Sequence, residues 1–171
     1  HLNEPGRTEW EGFVTATRAA AAGGATTLVD MPLNSIPATT TREALLAKRQ
    51  AARGKCAVDV GFWGGVVPGN LGELSGMVKD GVRGFKCFLI DSGAPEFGWV
   101  GEAELGPAMG ELSQLSVPLL AHAEVAGPID AVAAELLNAS PRAYATWLRS
   151  RPWRSAARRR RPRNGVWPRA S

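Results

Sequence analysis

The stretch "RGFKCFLI", residues 83–90, has the composition of a strand buried inside a protein. Aromatic and aliphatic residues surround Lys86, and such apolar runs are typical of parallel strands that are covered on both faces. The lysine is unusual there, because a buried ammonium is costly unless it is paired, neutralised or chemically changed. Three explanations are open: a salt bridge, a side chain that extends to water, or a modified lysine that serves as a ligand.

Similar apolar runs recur along the first 150 residues, with helical patterns between them. They are "ATTLVDM", "AVDVGFWGG" and "VPLLAHA", and each reads as a strand. The spacing of about 30 residues is that of the βα unit, in which a helix connects two parallel strands. The sequence therefore predicts an α/β fold, either a partial barrel or a doubly wound sheet.

The helical segments carry start and stop signals. Thr40 and Glu43 match a capping box ahead of "REALLAKRQAA", and Asn70 can cap "LGELSGMVKD". A further helix is expected around residues 102–116. Glycines that can end helices in a left-handed conformation are Gly23, Gly24, Gly54 and Gly81. The apolar face predicted for the first helix comprises Trp10, Phe13, Val14 and Thr17.

Polar residues at the predicted strand ends favour the barrel. In an α/β barrel the chemistry gathers at the carboxyl ends of the strands. His1 opens the loop "HLNEPG" and is expected to lie just beyond a preceding strand that is missing from the sequence. The other polar residues that follow or interrupt strands are Asp30, Asn34, Lys86, His122 and Glu124. These residues fall at four successive places on one rim, namely at residues 1, 30–34, 86 and 122–124. This arrangement fits a barrel better than a doubly wound sheet.

Each of these residues also has a purely structural interpretation. A single histidine such as His122 is more often hydrogen-bonded in the core than bound to a metal. Asp30 and Glu124 can cap the helices that follow them, and Asn34 can turn its loop. The two histidines of the sequence nevertheless share the predicted rim with Lys86. Taken together, these donors indicate a metal site.

The charge of the chain is unevenly distributed. The 171 residues carry a formal charge of +4, but residues 151–171 contain eight arginines and no acidic residue, which leaves 12 basic and 16 acidic residues in the remainder. The tail is interpreted as a nucleic-acid-binding arm, a localisation signal or unstructured sequence. The two cysteines form no spaced cluster, which favours a reducing compartment, and no apolar stretch is long enough to span a bilayer.

Four segments carry a resemblance to a known family. In order and spacing, "HLNEPGRTEWEGF", "GGATTLVDMPLNS", "GVRGFKCFLI" and "PLLAHAE" resemble the allantoinase branch of the cyclic amidohydrolases, relatives of dihydroorotase and dihydropyrimidinase. The resemblance covers residues 1–152, which are expected to form a partial amidohydrolase (βα) barrel of the TIM type. Residues 153–171 are expected to be a disordered or frameshifted tail.

The resemblance implies a dinuclear metal centre in the complete protein. Such proteins hold two divalent ions, usually zinc, bridged by a lysine that carries a carbon dioxide-derived carbamate. By resemblance, His1, Lys86 and His122 are metal ligands, and Lys86 is the carboxylated bridge. Asn3 and Asn34 would bind the substrate, and Asn3 stands where dihydroorotase-like chains commonly have an arginine that holds a carboxylate. The implied reaction is hydrolysis of the hydantoin ring amide of allantoin to allantoate, a step of purine catabolism.

The sequence also departs from the family pattern. The first histidine of the His-x-His motif, a third metal histidine and the general-base aspartate all lie outside this chain, and after "YATWLRSRPW" the sequence turns to arginine and proline. A reading-frame shift or a misjoined exon explains that change; a basic arm is the alternative. The complete protein is expected to act on a small ureide and to form a homo-oligomer, a tetramer, without specific nucleic-acid or membrane binding. The alternative functions are another cyclic amidohydrolase, such as dihydropyrimidinase or dihydroorotase, or a non-catalytic barrel with a nucleic-acid-binding tail.

Overall fold

Helices and parallel strands alternate along the chain. A computed structural model describes residues 1–124 and 126–150. The strands are β1 (Thr27–Asp30), β2 (Asp59–Phe62), β3 (Gly64–Gly65), β4 (Phe85–Phe88) and β5 (Leu119–His122). The helices are α1 (Phe13–Ala22), α2 (Arg42–Ala52), α3 (Leu74–Lys79), α4 (Glu102–Gln114), α5 (Ala126–Leu136) and α6 (Tyr144–Arg149), with a short 3₁₀ turn at Leu71–Glu73. The four predicted strand regions are thus all strands in the structure.

The strands pair in parallel and in chain order. β1 pairs with β2, β3 pairs with β4, and β4 pairs with β5. β2 and β3 are separated by Trp63 alone, whose backbone N–H donates to the Asp30 carbonyl at 2.8 Å. Helices α2, α3 and α4 connect β1 to β2, β3 to β4 and β4 to β5, which is the arrangement of a partial (βα) barrel. The predicted fold class is confirmed.

The main core lies between the strands and the helices that follow them. Phe13, Leu45, Leu74 and Phe85 are all within 1% of complete burial there. The strands approach this layer closely at Gly64, where an added Cβ would lie 2.5 Å from a ring atom of Phe85. A larger residue at that position would displace the aromatic ring from the core.

The helix signals of the sequence are correct in type but shifted in detail. Thr41, not Thr40, is the N-cap of α2, and its hydroxyl accepts the Ala44 N–H at 3.1 Å. Asn70 is the N-cap residue of the 3₁₀ turn, but its side chain does not cap it and instead binds the backbone of residues 40, 65 and 67. The face predicted for α1 is half wrong, because Phe13 and Thr17 are buried whereas the other two residues are exposed.

The described residues separate into two compact units. Residues 1–123 form the first, and the described residues from Glu124 onward belong to the second. Within the second unit, the Tyr144 and Trp147 rings stack at 5.6 Å and Arg149 pairs with Glu135. The boundary predicted after residue 152 stays a prediction, and the tail of residues 153–171 lies outside the described residues. In the described part of the chain, every helix is too short or too polar to cross a bilayer.

Candidate metal and substrate site

Alternation along β4 determines which residues can take part in a site. Phe85 and Cys87 are fully buried against the helices, while Lys86 and Phe88 point to the other face and are half-buried. Successive residues of a strand face opposite sides of the sheet, so the apolar residues on either side of Lys86 in the sequence do not share its environment. The face that carries Lys86 is the one that faces the interior of a barrel.

Two of the predicted metal ligands lie close to one aromatic ring on this face. Phe88 pairs in register with His122 on β5, and their rings stack at 5.0 Å with an angle of 22° between planes. The Lys86 Nζ lies 5.1 Å from the centroid of the same Phe88 ring. Lys86 and His122 therefore both lie beside one aromatic side chain, on adjacent strands.

The salt-bridge explanation for Lys86 is not supported. Among the ion pairs of residues 1–124 and 126–150, none includes the Lys86 ammonium. Its half-buried side chain lies over an aromatic ring, which attracts a cation only modestly. Of the three explanations that the sequence left open, an extended side chain and a modified lysine remain.

The buried lysine of this protein is Lys48 on α2. Its side chain has no exposed surface, and its Nζ donates to Asp30 Oδ2 at 2.8 Å and to the Met31 carbonyl at 3.0 Å. Burial lowers the pKa of Lys48, and the neighbouring Asp30 carboxylate offsets part of that effect. Sequence analysis missed this pair. The available signal was the helical spacing that places Lys48 on the same face of α2 as Leu45 and Ala52.

Asp30 joins the end of β1 to the start of the chain. Its Oδ1 accepts the Leu2 backbone N–H at 2.8 Å, while its Oδ2 binds Lys48. The interpretation of Asp30 as a helix cap is therefore wrong. His1 lies beside this anchor with its Nδ1 3.5 Å from the Leu33 carbonyl oxygen. The first predicted ligand thus lies next to the carboxyl end of β1.

The loop "HLNEPG" is fixed at a second point by Glu4. Glu4 is 5% exposed; its Oε2 accepts the Phe13 N–H at the start of α1 at 3.0 Å, and its Oε1 pairs with Lys55. The Pro5 carbonyl accepts the Ile36 N–H at 2.8 Å. The loop is therefore held in place by contacts to α1, to Lys55 and to the backbone of Ile36, and these contacts require no ligand.

The two predicted substrate residues both adopt left-handed backbone conformations. Asn3 has φ 52° and Asn34 has φ 75°, a region that asparagine tolerates better than most residues. The structural interpretation of Asn34 as a loop-turning residue is confirmed. The Asn3 Oδ1 is buried without a hydrogen-bond partner among the described residues. An acceptor left in this state is available to a ligand.

The predicted metal ligands do not form a complete centre in the described residues. No group of three or more His, Cys, Asp or Glu side chains converges within residues 1–124 and 126–150. The structure places Lys86 and His122 on one face of β4 and β5, and places His1 at the end of β1. The metal and substrate roles of His1, Lys86, His122, Asn3 and Asn34 stay predictions.

No family model matches this chain, but known proteins with similar sequences do. A mitochondrial allantoinase from Aquarana catesbeiana is 53% identical over 154 residues, covering 89% of this chain and 31% of that protein. The allantoinase of Saccharomyces cerevisiae is 50% identical over 152 residues, covering 89% of this chain and 33% of that protein. The chain spans about a third of the length of these relatives.

Solved structures of hydantoinases have the same fold. The L-hydantoinase (dihydropyrimidinase) of Arthrobacter aurescens superimposes with a TM-score of 0.75 at 33% identity, covering 82% of this chain and 31% of that one. A D-hydantoinase (dihydropyrimidinase) from Thermus sp. gives a TM-score of 0.61 at 27% identity, over 74% of this chain and 28% of that one. The chain is thus similar to about a third of these allantoinases in sequence and to about a third of the hydantoinases in fold.

Proposed function

We propose that residues 1–124 supply part of the active site of a metal-dependent hydrolase that opens the hydantoin ring of allantoin to give allantoate. The observation that carries the proposal is the shared face of β4 and β5, on which Lys86 and His122 both lie close to Phe88. The allantoinases that match this chain at about 50% identity support the choice of substrate.

The donors on this face suit a divalent metal such as zinc. Imidazole nitrogens are common zinc ligands, and Lys86 lies at the same face without a carboxylate partner among the described residues. We propose that His1, Lys86 and His122 hold two metal ions together with ligands from outside this chain. Lys86 would do so as a carbamate, an anion with two oxygen donors. The ions would supply the Lewis acidity that polarises the amide carbonyl and activates a water molecule.

The protein's own residues would orient the substrate. The unpartnered Asn3 Oδ1 can accept an N–H of a ureide, and the Asn34 amide offers both a donor and an acceptor. Neither asparagine carries a charge, and allantoin has no carboxylate that would need an arginine. These two residues therefore favour an uncharged cyclic ureide over a substrate that carries a carboxylate.

The proposal is tested with a chimeric protein, which we call the completed enzyme. In it, residues 1–124 replace the matching segment of the Saccharomyces cerevisiae allantoinase, which is 50% identical to this chain over 152 residues. A cooperative thermal melt first establishes that this completed enzyme folds. With zinc and bicarbonate added, we expect allantoate to form from allantoin, and we expect Lys86→Ala to reduce the rate to that of a metal-only blank.

The matched control is Lys79→Ala, which removes an exposed lysine from the last turn of α3. Its rate should equal that of the unsubstituted completed enzyme. A folded completed enzyme without turnover, or a Lys86→Ala variant with an unchanged rate and metal content, would contradict the proposal.

A second candidate is a hydantoinase or dihydropyrimidinase activity. It is favoured by the fold match to the Arthrobacter aurescens protein, which carries both names, with a TM-score of 0.75. Hydantoin and dihydrouracil are therefore assayed beside allantoin. A kcat/KM for either that exceeds the value for allantoin would select this candidate.

A further inference from the structure

One guanidinium joins three segments that lie at strand ends. Arg7 forms a two-point ion pair with Glu96, in which Nη1 contacts Oε1 and Nη2 lies 3.3 Å from Oε2. The same Nη1 donates to the backbone carbonyl of Asn34 at 3.0 Å. We refer to Arg7, Glu96 and the Asn34 carbonyl as the rim clamp. It connects the loop that begins at His1 to the segments that follow β1 and β4.

The rim clamp is more shielded than an ordinary surface ion pair. The side chains of Arg7 and Glu96 are each 19% exposed, and the Arg7 guanidinium also lies 4.7 Å from the centroid of the Trp10 ring. The hydrogen bond from Arg7 lowers the pKa of the Glu96 carboxyl. Two-point contacts between arginine and a carboxylate fix orientation as well as distance.

The rim clamp acts on a residue whose conformation is already unusual. Asn34 has φ 75°, and its carbonyl oxygen is held by Arg7. A fixed carbonyl also fixes the peptide plane, and with it the direction in which the neighbouring side chain leaves the backbone. The segments themselves have other anchors, such as the Ile36 N–H to the Pro5 carbonyl and the fully buried Phe97. Loss of the clamp should therefore change local geometry rather than the fold.

We propose that Arg7 and Glu96 are positioning residues that set the direction of Asn34 and thereby the fit of the ureide substrate. This inference rests on the proposed function, because it takes Asn34 as a substrate contact. Neither Arg7 nor Glu96 is placed at the reacting atoms. Their loss should weaken substrate binding and leave the chemical step nearly unchanged.

An ion pair of the same chemistry provides a matched control. Arg42 and Asp80 also form a two-point contact, with Nε to Oδ2 at 2.7 Å and Nη2 to Oδ1 at 3.2 Å. This pair joins α2 to the residue that follows α3. It involves neither the rim clamp nor the predicted substrate residues, so it reports the effect of losing an ion pair alone.

The experiment compares four single variants of the completed enzyme. Glu96→Gln keeps the shape but removes the charge, and Arg7→Lys keeps the charge but removes the planar fork. We expect each to raise the KM for allantoin about tenfold, which corresponds to about 1.4 kcal/mol, with kcat altered less than about twofold. The control variants Asp80→Asn and Arg42→Lys should leave both constants within about twofold of the unsubstituted values.

Hydrogen exchange provides a readout that needs no turnover. In Glu96→Gln, the amides of residues 34–36 should exchange about fivefold faster or more, although Glu96 is 60 residues away in sequence. In Asp80→Asn they should not change. If the folded completed enzyme lacks turnover, the proposed function fails. The exchange test still decides whether Glu96 controls the conformation of residues 34–36. An unchanged exchange rate in Glu96→Gln, or equal KM changes in the rim and control variants, would overturn the inference.

Discussion

The burial of Lys48 and of Lys86 is the reverse of what their neighbours in the sequence suggest. Lys86 lies in an apolar strand and is half-buried, with its ammonium over the Phe88 ring. Lys48 lies on an amphipathic helix and is fully buried, with its ammonium bound to Asp30. The difference shows that burial depends on which layer covers a side chain. The apolar character of the neighbours in the sequence does not decide it.

The two lysines also differ in what replaces their hydration. Lys48 exchanges water for the carboxylate of Asp30 and the Met31 carbonyl, so its charge is neutralised inside the protein. Lys86 has an aromatic face and no carboxylate among the described residues. A lysine of the first kind contributes to structure, whereas one of the second kind is accessible for chemistry.

The largest effect on stability is expected at Lys48. Lys48→Met leaves the buried Asp30 carboxylate and Met31 carbonyl without the Nζ donor, which even a neutral lysine keeps, and this should lower the free energy of unfolding of the completed enzyme by about 3–5 kcal/mol. Without added zinc, Lys86→Met, at the half-buried strand position, should cost less than about 1 kcal/mol. Urea unfolding monitored by circular dichroism gives both values. Equal losses for the two variants would remove the distinction between the lysines.

A double substitution separates the charge from the hydrogen bond. In Asp30→Leu/Lys48→Met the unpaired charge is gone, so most of the stability lost in Lys48→Met should return. The Leu2 N–H then lacks its acceptor, at a cost of about 1–3 kcal/mol. Asp30→Asn/Lys48→Met retains an acceptor oxygen and is expected to be the more stable double variant. The comparison fails if the two double variants unfold at the same urea concentration.

The pH dependence of the stability should report the burial of Lys48. Because burial lowers the pKa of folded Lys48 below 10.5, the unfolded chain binds more protons between the two values. The Lys48 contribution therefore rises as the pH increases through that interval, is complete above 10.5, and declines as the pH falls through the folded pKa. Melting temperatures between neutral pH and 10.5 should show this rise relative to Lys48→Met. A curve for Lys48→Met that runs parallel to that of the unsubstituted enzyme would refute the assignment.

The smallest effect is expected for an ion pair that lacks burial altogether. Arg149 and Glu135 lie 3.4 Å apart with 58% and 65% of their side chains exposed. Arg149→Ala in the 171-residue chain should change the free energy of unfolding by less than about 0.5 kcal/mol. A loss comparable to that of Lys48→Met would mean that burial is not what separates these pairs.

Sequence periodicity was sufficient for the strands and for α1 to α4, because local patterns encode them; α5 and α6 were not predicted. Runs such as "ATTLVDM" mark strands through their apolar and β-branched residues, and left-handed glycines at 54 and 81 end helical segments as expected. Boundaries were less accurate. The capping-box pattern favours Thr40, whereas Thr41 is the N-cap of α2 in the structure.

The candidate site was predictable where it follows strand ends, and not where it depends on tertiary contacts. Lys86 and His122 share a face because their strands are adjacent and parallel, as the βα repeat implies. The pairs Asp30–Lys48 and Arg7–Glu96 join residues 18 and 89 positions apart. No local pattern specifies those partners, because each depends on how helices and loops pack around the strands.

The Asp30 carboxylate has a consequence for the order in which the chain matures. Its cation lies 18 residues downstream, on α2, whereas the amide that it binds lies upstream at Leu2. During synthesis, β1 cannot bury this carboxylate in a neutral environment until Lys48 has left the ribosome and α2 has packed. The smallest nascent chain that can hold the loop of His1 in place therefore ends beyond α2.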